Sequence, residues 1–267
     1  MRFVTILLSG GLSNQLFQVG VLYYLKEKYG YEPYIDTKLI QSSVYDHSLS
    51  LYFGTYIHTV QIGTRNTYSW TTVNEKEMET YDFNSNTSNI ILKGYFQSSK
   101  YLPYKETLIT LFHPRNQLSM IFPIETSVAI HVRRGDYMLP YYNGLFNSYE
   151  LPNYYKNALI EMKNRLSTHF SLVIFSNDIL WCQYFFPNIF SGDIHYMDGT
   201  IPDYQQLDLL SRFNHLILSN SSYSWWGAFL NHSSDKTVIV PNQWFFAEAD
   251  LFRNSIIYEP SWIKVPF

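Results

Sequence analysis

The stretch Ser127-Val-Ala-Ile-His-Val-Arg-Arg-Gly-Asp136 decides the fold of the second half of this chain. Its apolar first part predicts a buried strand, whose alternation places Ala129, His131 and Arg133 on one face. Gly135 permits a tight turn directly afterwards. A histidine and two arginines are therefore delivered to the carboxyl end of a strand, which is the edge where open α/β sheets bind ligands.

Two neighbouring guanidiniums at such an edge predict a diphosphate site, because arginine presents a planar set of donors that matches phosphate oxygens. The structural alternative is an ion pair between an arginine and Asp136 that closes the loop. We favour the ligand site, because charge clusters of this kind often mark functional sites.

Strand and helix patterns alternate through the second half, which predicts a mostly parallel sheet covered on both faces. The predicted strands are residues 126–132, 172–175, 194–197, 216–218 and 237–240. The predicted helices begin at residue 151, just before residue 179, at residue 204 and at residue 222. Polar clusters follow three of these strands, so they meet at one edge of the sheet.

The first half opens with a strand over residues 2–9, a break at Gly10-Gly11, a helix over 14–29 and a strand over 32–36. This order resembles a nucleotide-binding half, although neither GxGxxG nor a P-loop is present. The helix N-terminus behind the two glycines can hold an anion. Residues 37–125 show weak periodicity and predict helices and loops around an open cleft.

Composition narrows the class of protein. Apolar residues make up 46% of the 267 residues, and the net charge is −3 without a basic stripe, so a nucleic-acid partner is not expected. The single cysteine, Cys182, excludes an intramolecular disulfide, and no zinc-ligand spacing occurs. The apolar run at residues 3–8 is too short for a signal peptide or a membrane span.

Four segments carry a resemblance to a known family. In chain order they are SGGLSNQLFQ at residues 9–18, GYFQS at 94–98, HVRRGD at 131–136 and LSNSSYSWWGA at 218–228. They resemble the GGLGNQxFQ, GYxQS, HxRRGD and SNSSxSWW motifs of the α-1,2-fucosyltransferases of glycosyltransferase family 11. One departure is Ser13, where the family usually has glycine.

The resemblance implies a GT-B-like α/β fold with two Rossmann-type halves. Residues 1–120 would be the acceptor side, and residues 121–267 the donor half that binds the nucleotide sugar. The implied reaction transfers L-fucose, with inversion, from GDP-β-L-fucose to the 2-hydroxyl of a terminal galactoside, without a metal or other cofactor. The chain starts directly at the catalytic region, so we expect a cytoplasmic enzyme of bacterial surface glycan synthesis, peripheral at the inner membrane face through a lipid-linked acceptor.

Without a divalent cation, guanidiniums and helix N-termini must stabilise the departing diphosphate. Arg133 is the first choice for this role. Asp136 is a candidate general base or the partner of an arginine, and Glu150 is the second candidate. The acceptor is assigned to Gln15 and Gln97, whose amides both donate and accept. The predicted donor-binding residues are Gly10, Gly11, Asn14, His131, Arg133, Arg134, Asp178, Ser219, Ser221 and Ser222.

Several alternatives stay open at this point. Asp178 either reads guanine or caps its helix, His131 either contacts the nucleotide or is a core residue, and Arg134 either binds donor or pairs with Asp136. Trp225 and Trp226 are expected in the core. For the whole chain, the alternatives are a fucosyltransferase of another linkage, another nucleotide-sugar transferase, a non-catalytic glycan or nucleotide-sugar binding module, and an adhesion protein suggested by the tripeptide RGD.

Overall fold

The computed structural model describes residues 2–34, 70–112, 118–119, 122–166 and 169–267. The chain divides into two compact units, Met1–Arg115 and Asn116–Phe267. Each unit is built on its own parallel sheet with helices, so the predicted α/β class is confirmed.

The N-terminal unit contains a sheet of order β2-β1-β4-β3 in which all neighbours are parallel. Its longest described helix, α1, begins after the two glycines and ends at Gly30, which has the left-handed φ of 70° that favours glycine. No helix in the described ranges is both long and apolar enough to cross a membrane. The strands are β1 Arg2–Ile6, β2 Tyr31–Pro33, β3 Trp70–Asn74 and β4 Asn89–Lys93, and the helices are α1 Leu12–Tyr29 and α2 Lys105–Leu111.

Two of these strands correct the sequence analysis. Strands β3 and β4 lie inside residues 37–125, which were predicted as helices and loops. Each strand has only five residues, and WTTVN and NIILK mix polar and apolar side chains without a clean alternation. Pairing with β1 and with each other, rather than local pattern, makes them strands. Residues 35–69, including the end of the strand predicted at 32–36, lie outside the described residues.

The C-terminal unit contains a sheet of order β10-β9-β8-β5-β6-β7 in which all neighbours are parallel, which confirms the predicted parallel sheet. The sequence analysis missed β10 and α3, which are short. The strands are β5 Ser127–Val132, β6 Ser171–Ser176, β7 Ile194–Tyr196, β8 His215–Ile217, β9 Thr237–Pro241 and β10 Ile263–Val265. The helices are α3 Pro140–Phe146, α4 Leu151–Leu166, α5 Ile179–Phe185, α6 Asp203–Leu210 and α7 Ser222–Phe229.

Strand β5 lies between β8 and β6, and all six of its residues are buried. Val128, Ile130 and Val132 belong to one apolar cluster with helices α4 and α5, and each fully buried side chain of this kind contributes about 1.5–3 kcal/mol. His131 alternates to the opposite face. The core therefore fixes which face of the strand end carries the histidine.

Candidate functional site

The end of β5 places His131 against the loop that follows β8. Its Nδ1 lies 2.9 Å from Ser219 Oγ, and its ring stacks on Tyr223 with centroids 5.0 Å apart. Tyr155 donates its hydroxyl to the backbone carbonyl of His131 at 3.2 Å. Burial, and to a lesser extent the charge of Arg133, lowers the pKa of His131 to about 3. The imidazole is therefore neutral at neutral pH.

Arg133 forms an ion pair within its own loop. Its Nη2 lies 2.8 Å from Asp136 Oδ1 and 3.0 Å from Oδ2, and it donates its hydrogen bond to Oδ2. The guanidinium carbon lies 5.3 Å from the centroid of the Tyr137 ring. The Arg133 side chain keeps 31% of its surface exposed. The expected partner of Asp136 was Arg134 in one of our alternatives, and that alternative is wrong.

Arg134 pairs instead with the loop after β6. Its Nε donates to Asp178 Oδ2 at 3.0 Å, and its guanidinium carbon lies 4.1 Å from the centroid of the Trp181 ring. Only 13% of the Arg134 side chain is exposed. Asp178 Oδ1 accepts from the Trp181 backbone N–H at 3.2 Å and so caps α5. Both carboxylate oxygens already have protein donors, so the capping interpretation of Asp178 is realised, while a guanine contact stays a prediction.

The turn between the two arginines and Asp136 depends on close packing. The Arg134 backbone N–H donates to Asn177 Oδ1 at 2.9 Å. Gly135 has φ of +51°, and a Cβ there would lie 2.4 Å from Asn177 Nδ2. Asn177 was part of a predicted polar cluster, but this backbone contact was not predicted. It fixes the direction in which the two arginine side chains leave the strand.

The serine-rich loop after β8 is held by its own side chains. Ser221 caps α7 by accepting from the Tyr223 N–H at 3.4 Å, and Ser222 is the first residue of that helix. Ser224 Oγ donates to the carbonyls of Ser219 and Ser221 at 3.0 and 3.1 Å. The Tyr223 amide at this helix start already has Ser221 Oγ as its acceptor, so binding of a diphosphate here stays a prediction.

Asn220 is a residue whose role the sequence did not reveal. Its buried side-chain amide donates to the carbonyls of Phe146, at 2.7 Å, and Trp244, at 3.1 Å. Phe146 in turn stacks on Tyr137, with centroids 4.2 Å apart and planes within 7°. Asn220 therefore connects the serine-rich loop to the segment that follows the arginines. The only sign of this role in the sequence is that an asparagine stands at this place in the serine-rich motif.

The two tryptophans of this motif are core residues, as expected. Both Trp225 and Trp226 are fully buried. Trp225 donates its indole N–H to the Ile257 carbonyl at 2.6 Å. They anchor α7 in the core and contribute no exposed surface to the site.

The N-terminal unit brings together the loops after β1 and β4, which are adjacent parallel strands. Gln97 Nε2 donates to Asn14 Oδ1 at 2.8 Å, and Gln15 Nε2 donates to the Gly10 carbonyl at 2.8 Å. Gly10 has φ of +74°, and a Cβ there would lie 2.4 Å from Asn14 Nδ2. The expected acceptor-side amides thus lie beside the two glycines.

Two further observations concern this first loop. Gln18, fully buried, accepts from the Ser9 N–H at 3.0 Å and donates to the Gly94 carbonyl at 2.9 Å, so it joins the two loops. Ser13 lies in the first turn of α1 and does not have a positive φ, so the geometry here does not require the glycine usual in the family.

Each predicted site residue therefore lies in one of two clusters, and each cluster belongs to one unit. Gly10, Gly11, Asn14, Gln15 and Gln97 form the first. The second contains His131, Arg133, Arg134, Asp136, Asp178, Ser219, Ser221 and Ser222. Within the described residues, no three His, Cys, Asp or Glu side chains are grouped as metal ligands would be.

Each of the two α/β units has a parallel sheet with polar side chains after its strand ends, which is the arrangement of a GT-B-type fold, and solved structures share this fold. The chain is similar to the fucosyltransferase NodZ from Bradyrhizobium, with a TM-score of 0.56 at 10% identity over 86% of this chain and 94% of that one. It is also similar to FUT1 of Arabidopsis thaliana in complex with GDP, with a TM-score of 0.51 at 14% identity over 90% of this chain and 70% of that one.

Sequence comparison gives the family. The sequence model of glycosyl transferase family 11 matches residues 3–266, so the chain belongs to that family.

Curated relatives include an alpha-1,2-colitosyltransferase of Escherichia coli, 32% identical over 58% of this chain and 56% of the relative. The O-antigen biosynthesis glycosyltransferase WbnK of Escherichia coli is 26% identical over 71% of this chain and 67% of the relative. Galactoside alpha-(1,2)-fucosyltransferase 2 of Rattus norvegicus is 28% identical over 53% of this chain and 40% of the relative. This chain therefore matches just over half the length of the colitosyltransferase.

The depressed pKa of His131 predicts a dependence of stability on pH. The unfolded chain takes up a proton near pH 6.5, whereas the folded protein does so only near pH 3, so stability falls as the pH falls below 6.5. Between pH 6.5 and 5, this residue alone should remove up to about 2 kcal/mol from the free energy of unfolding. When the free energy of unfolding is measured with urea at several pH values, that of His131→Asn should fall less steeply with decreasing pH than that of the wild type. His169→Asn, a change at an exposed histidine, is the control and should show the wild-type dependence on pH.

Asp178→Ala should lower the melting temperature, since the substitution removes a helix cap worth about 1 kcal/mol and the partner of Arg134. If Asp178 also reads guanine, GDP affinity falls and the preference for GDP over ADP narrows. Calorimetry with both nucleotides measures this. Asp208→Ala, which removes another paired carboxylate of the same unit, is the control. Unchanged GDP affinity in a less stable Asp178 variant would show that Asp178 is structural, as helix cap and partner of Arg134, and does not read guanine.

Proposed function

We propose that this chain is an inverting galactoside α-1,2-fucosyltransferase that uses GDP-β-L-fucose. The observation that carries the proposal is the cluster at the carboxyl ends of β5, β6 and β8. There an arginine pair, a neutral histidine and a serine-capped helix lie together. These groups suit a nucleoside diphosphate, and the activities for which the relatives are named support the sugar and the linkage.

The two arginines have different roles in binding a diphosphate. Arg134 is held by Asp178 and covered by Trp181, so it acts as a fixed positive charge that shapes the site. Arg133 is the more exposed of the two and its partner lies in its own loop, so it can turn to the departing phosphate. A guanidinium aimed at the charge that develops on the leaving group acts most strongly in the transition state.

Activation of the acceptor hydroxyl is assigned to Asp136. It lies three residues beyond Arg133 and pairs with that guanidinium, and as a base it must reach the acceptor hydroxyl on the face of the sugar opposite the diphosphate. A base that abstracts the proton of the attacking hydroxyl favours direct displacement with inversion. Glu150 is the second candidate. It is exposed, and its carboxylate accepts from Asn153 Nδ2 at 2.7 Å.

The acceptor is proposed to be a terminal galactoside of a bacterial surface glycan, bound in part by Gln15 and Gln97. A lipid-linked form of such an acceptor would bring the protein to the inner face of the cytoplasmic membrane. The second candidate function is α-1,2-colitosyl transfer, because the relative that is 32% identical is named for that activity. Both candidates use the same linkage and differ in the donor sugar.

A donor and acceptor array tests the proposal. GDP release is measured with GDP-fucose, GDP-colitose and other nucleotide sugars, alone and with lactose or other terminal galactosides, followed by linkage analysis of each product. Fucosyl transfer to the galactose 2-hydroxyl is the expected result. Colitosyl transfer alone would support the second candidate, another linkage would correct the regiochemistry, and nucleotide-sugar binding without transfer would indicate a binding module.

Arg133→Ala should reduce transfer by about a hundredfold or more, which corresponds to about 3–4 kcal/mol of lost transition-state stabilisation. Arg133→Lys should recover little of it, because an ammonium lacks the planar pair of donors. Initial rates at saturating donor measure the effect, with Arg165→Ala, which breaks an exposed helical ion pair, as the control. A folded Arg133→Ala variant with near-normal turnover would contradict the role of Arg133 in stabilising the leaving diphosphate.

Asp136→Asn keeps the shape of the side chain and removes its basicity, so we expect the transfer rate to fall about 10²–10⁴-fold while donor affinity holds. Transfer rate, donor binding and melting temperature are measured on the same variant. A joint fall of donor affinity and melting temperature would show that Asp136 serves Arg133 alone. Unchanged transfer would exclude both roles and make Glu150 the next residue to test.

Transfer should survive treatment with EDTA, because in this proposal the arginines and the α7 N-terminus provide the positive charge that a cation supplies elsewhere. Rates are compared before chelation, after chelation, and after addition of Mn²⁺ or Mg²⁺. Loss of activity on chelation with recovery on metal addition would contradict the proposed leaving-group stabilisation.

A further inference from the structure

The N-terminal unit contains a buried carboxylate that the site described above does not use. Glu75 directly follows β3, and only 8% of this residue is exposed. Because Asn74 and Lys93 are partners in the parallel register, Glu75 lies beside Gly94. Gly94 begins the segment of residues 94–98, here named the Gln97 loop. Glutamate is rarely buried to this extent without a bonding role.

Glu75 bonds to the backbone of the Gln97 loop. Its Oε2 accepts from the Tyr95 N–H at 3.0 Å. Gly94 has φ of +147°, and a Cβ there would lie 2.5 Å from the Cβ of Glu75. The close approach of the carboxylate to the loop therefore depends on glycine at this position.

The Gln97 loop is strained as well as bonded. Phe96 has φ of +53°, a conformation that non-glycine residues adopt rarely and only where the surroundings enforce it. Its side chain is fully buried and meets Tyr101 edge-on, with centroids 6.3 Å apart. Gln18 donates to the Gly94 carbonyl at 2.9 Å. Glu75 and Gln18 thus hold the start of the loop, and the strained turn then presents Gln97 to Asn14 at 2.8 Å.

We propose that Glu75 is a positioning residue for acceptor binding. It fixes the strained Gln97 loop through the Tyr95 N–H, and so sets the place of the Gln97 amide. The inference rests on the proposed function, because Gln97 is assigned to the acceptor there. A side-chain oxygen that accepts from the backbone N–H adds a hydrogen bond to a loop that must be held against strain. Displacements of about 1 Å at positioning groups are enough to reduce turnover.

Steady-state kinetics of Glu75→Ala and Glu75→Gln test the proposal, with GDP-fucose and acceptor varied separately. Glu75→Ala should raise the acceptor KM about tenfold, as expected for one lost hydrogen bond, and leave GDP affinity within about twofold. Glu75→Gln should restore most of the acceptor KM, because its amide oxygen still accepts from the Tyr95 N–H. Glu77→Ala is the control, since it removes a carboxylate that accepts from the Asn74 N–H on the same turn without touching the Gln97 loop.

Three kinetic results would overturn the proposal. One is an unchanged acceptor KM in Glu75→Ala. A second is an equal rise in Glu77→Ala, which would indicate general loosening of the turn. The third is a kcat loss of about a hundredfold or more in Glu75→Gln at unchanged KM, which would indicate a proton acceptor instead.

Amide hydrogen exchange provides a readout that does not depend on activity. Exchange of the Tyr95 N–H should be faster in Glu75→Ala than in wild type, and unchanged in Glu77→Ala and Glu75→Gln. If wild-type protein transfers no fucose to any acceptor, the proposed function fails and this measurement still decides whether Glu75 holds the loop. Unaltered Tyr95 exchange in a folded Glu75→Ala variant would show that it does not.

Discussion

Two adjacent guanidiniums at the end of a buried strand repel each other, and the C-terminal unit offsets this repulsion by giving each one a separate carboxylate partner. Arg133 and Arg134 leave β5 in different directions, and each meets its own carboxylate. The two carboxylates come from different places, one from the same loop and one from the cap of α5. Gly135 and Asn177 allow this divergence, because the turn that follows the arginines packs closely on the Asn177 amide. The parallel order of β8, β5 and β6 then brings the serine-capped helix to the same edge.

The sequence was sufficient for five of the six strands of the C-terminal sheet, all but β10, and for its polar edge, because apolar runs alternate there with helical patterns. The face of β5 that carries His131 followed from simple alternation, since Val128, Ile130 and Val132 needed a core. An ion pair between an arginine and Asp136 was among the alternatives, and Arg133 forms it, but the partner of Arg134 did not follow. Arg134 reaches Asp178 across 44 residues of sequence, and a local pattern contains no information about that distance. Asn220 and Asn177 were visible as residue types, but their carbonyl and amide partners depend on tertiary packing.

The N-terminal unit was predicted less well for a related reason. Strands β3 and β4 are short and mixed in polarity, so they become strands only through pairing with each other and with β1. Glu75 was invisible in the sequence because nothing local distinguishes it from the neighbouring Glu77. The difference between them is burial: one lies beside Gly94 and the other faces solvent. The assignment of the amides to the acceptor and of the arginines to the donor rests on chemistry and on family resemblance.

The ion pair between Arg133 and Asp136 has a consequence for selectivity among anions. The arginine has an internal counter-ion, so any incoming anion must exchange with a carboxylate rather than occupy an unbalanced positive charge. A small anion such as chloride or inorganic phosphate gains little from that exchange, because it replaces one negative partner with another. The proposed nucleoside diphosphate donor would bring additional contacts from its base and ribose, which can favour the exchange. With such a donor, the site would bind it selectively in a solution that contains far higher concentrations of simple anions.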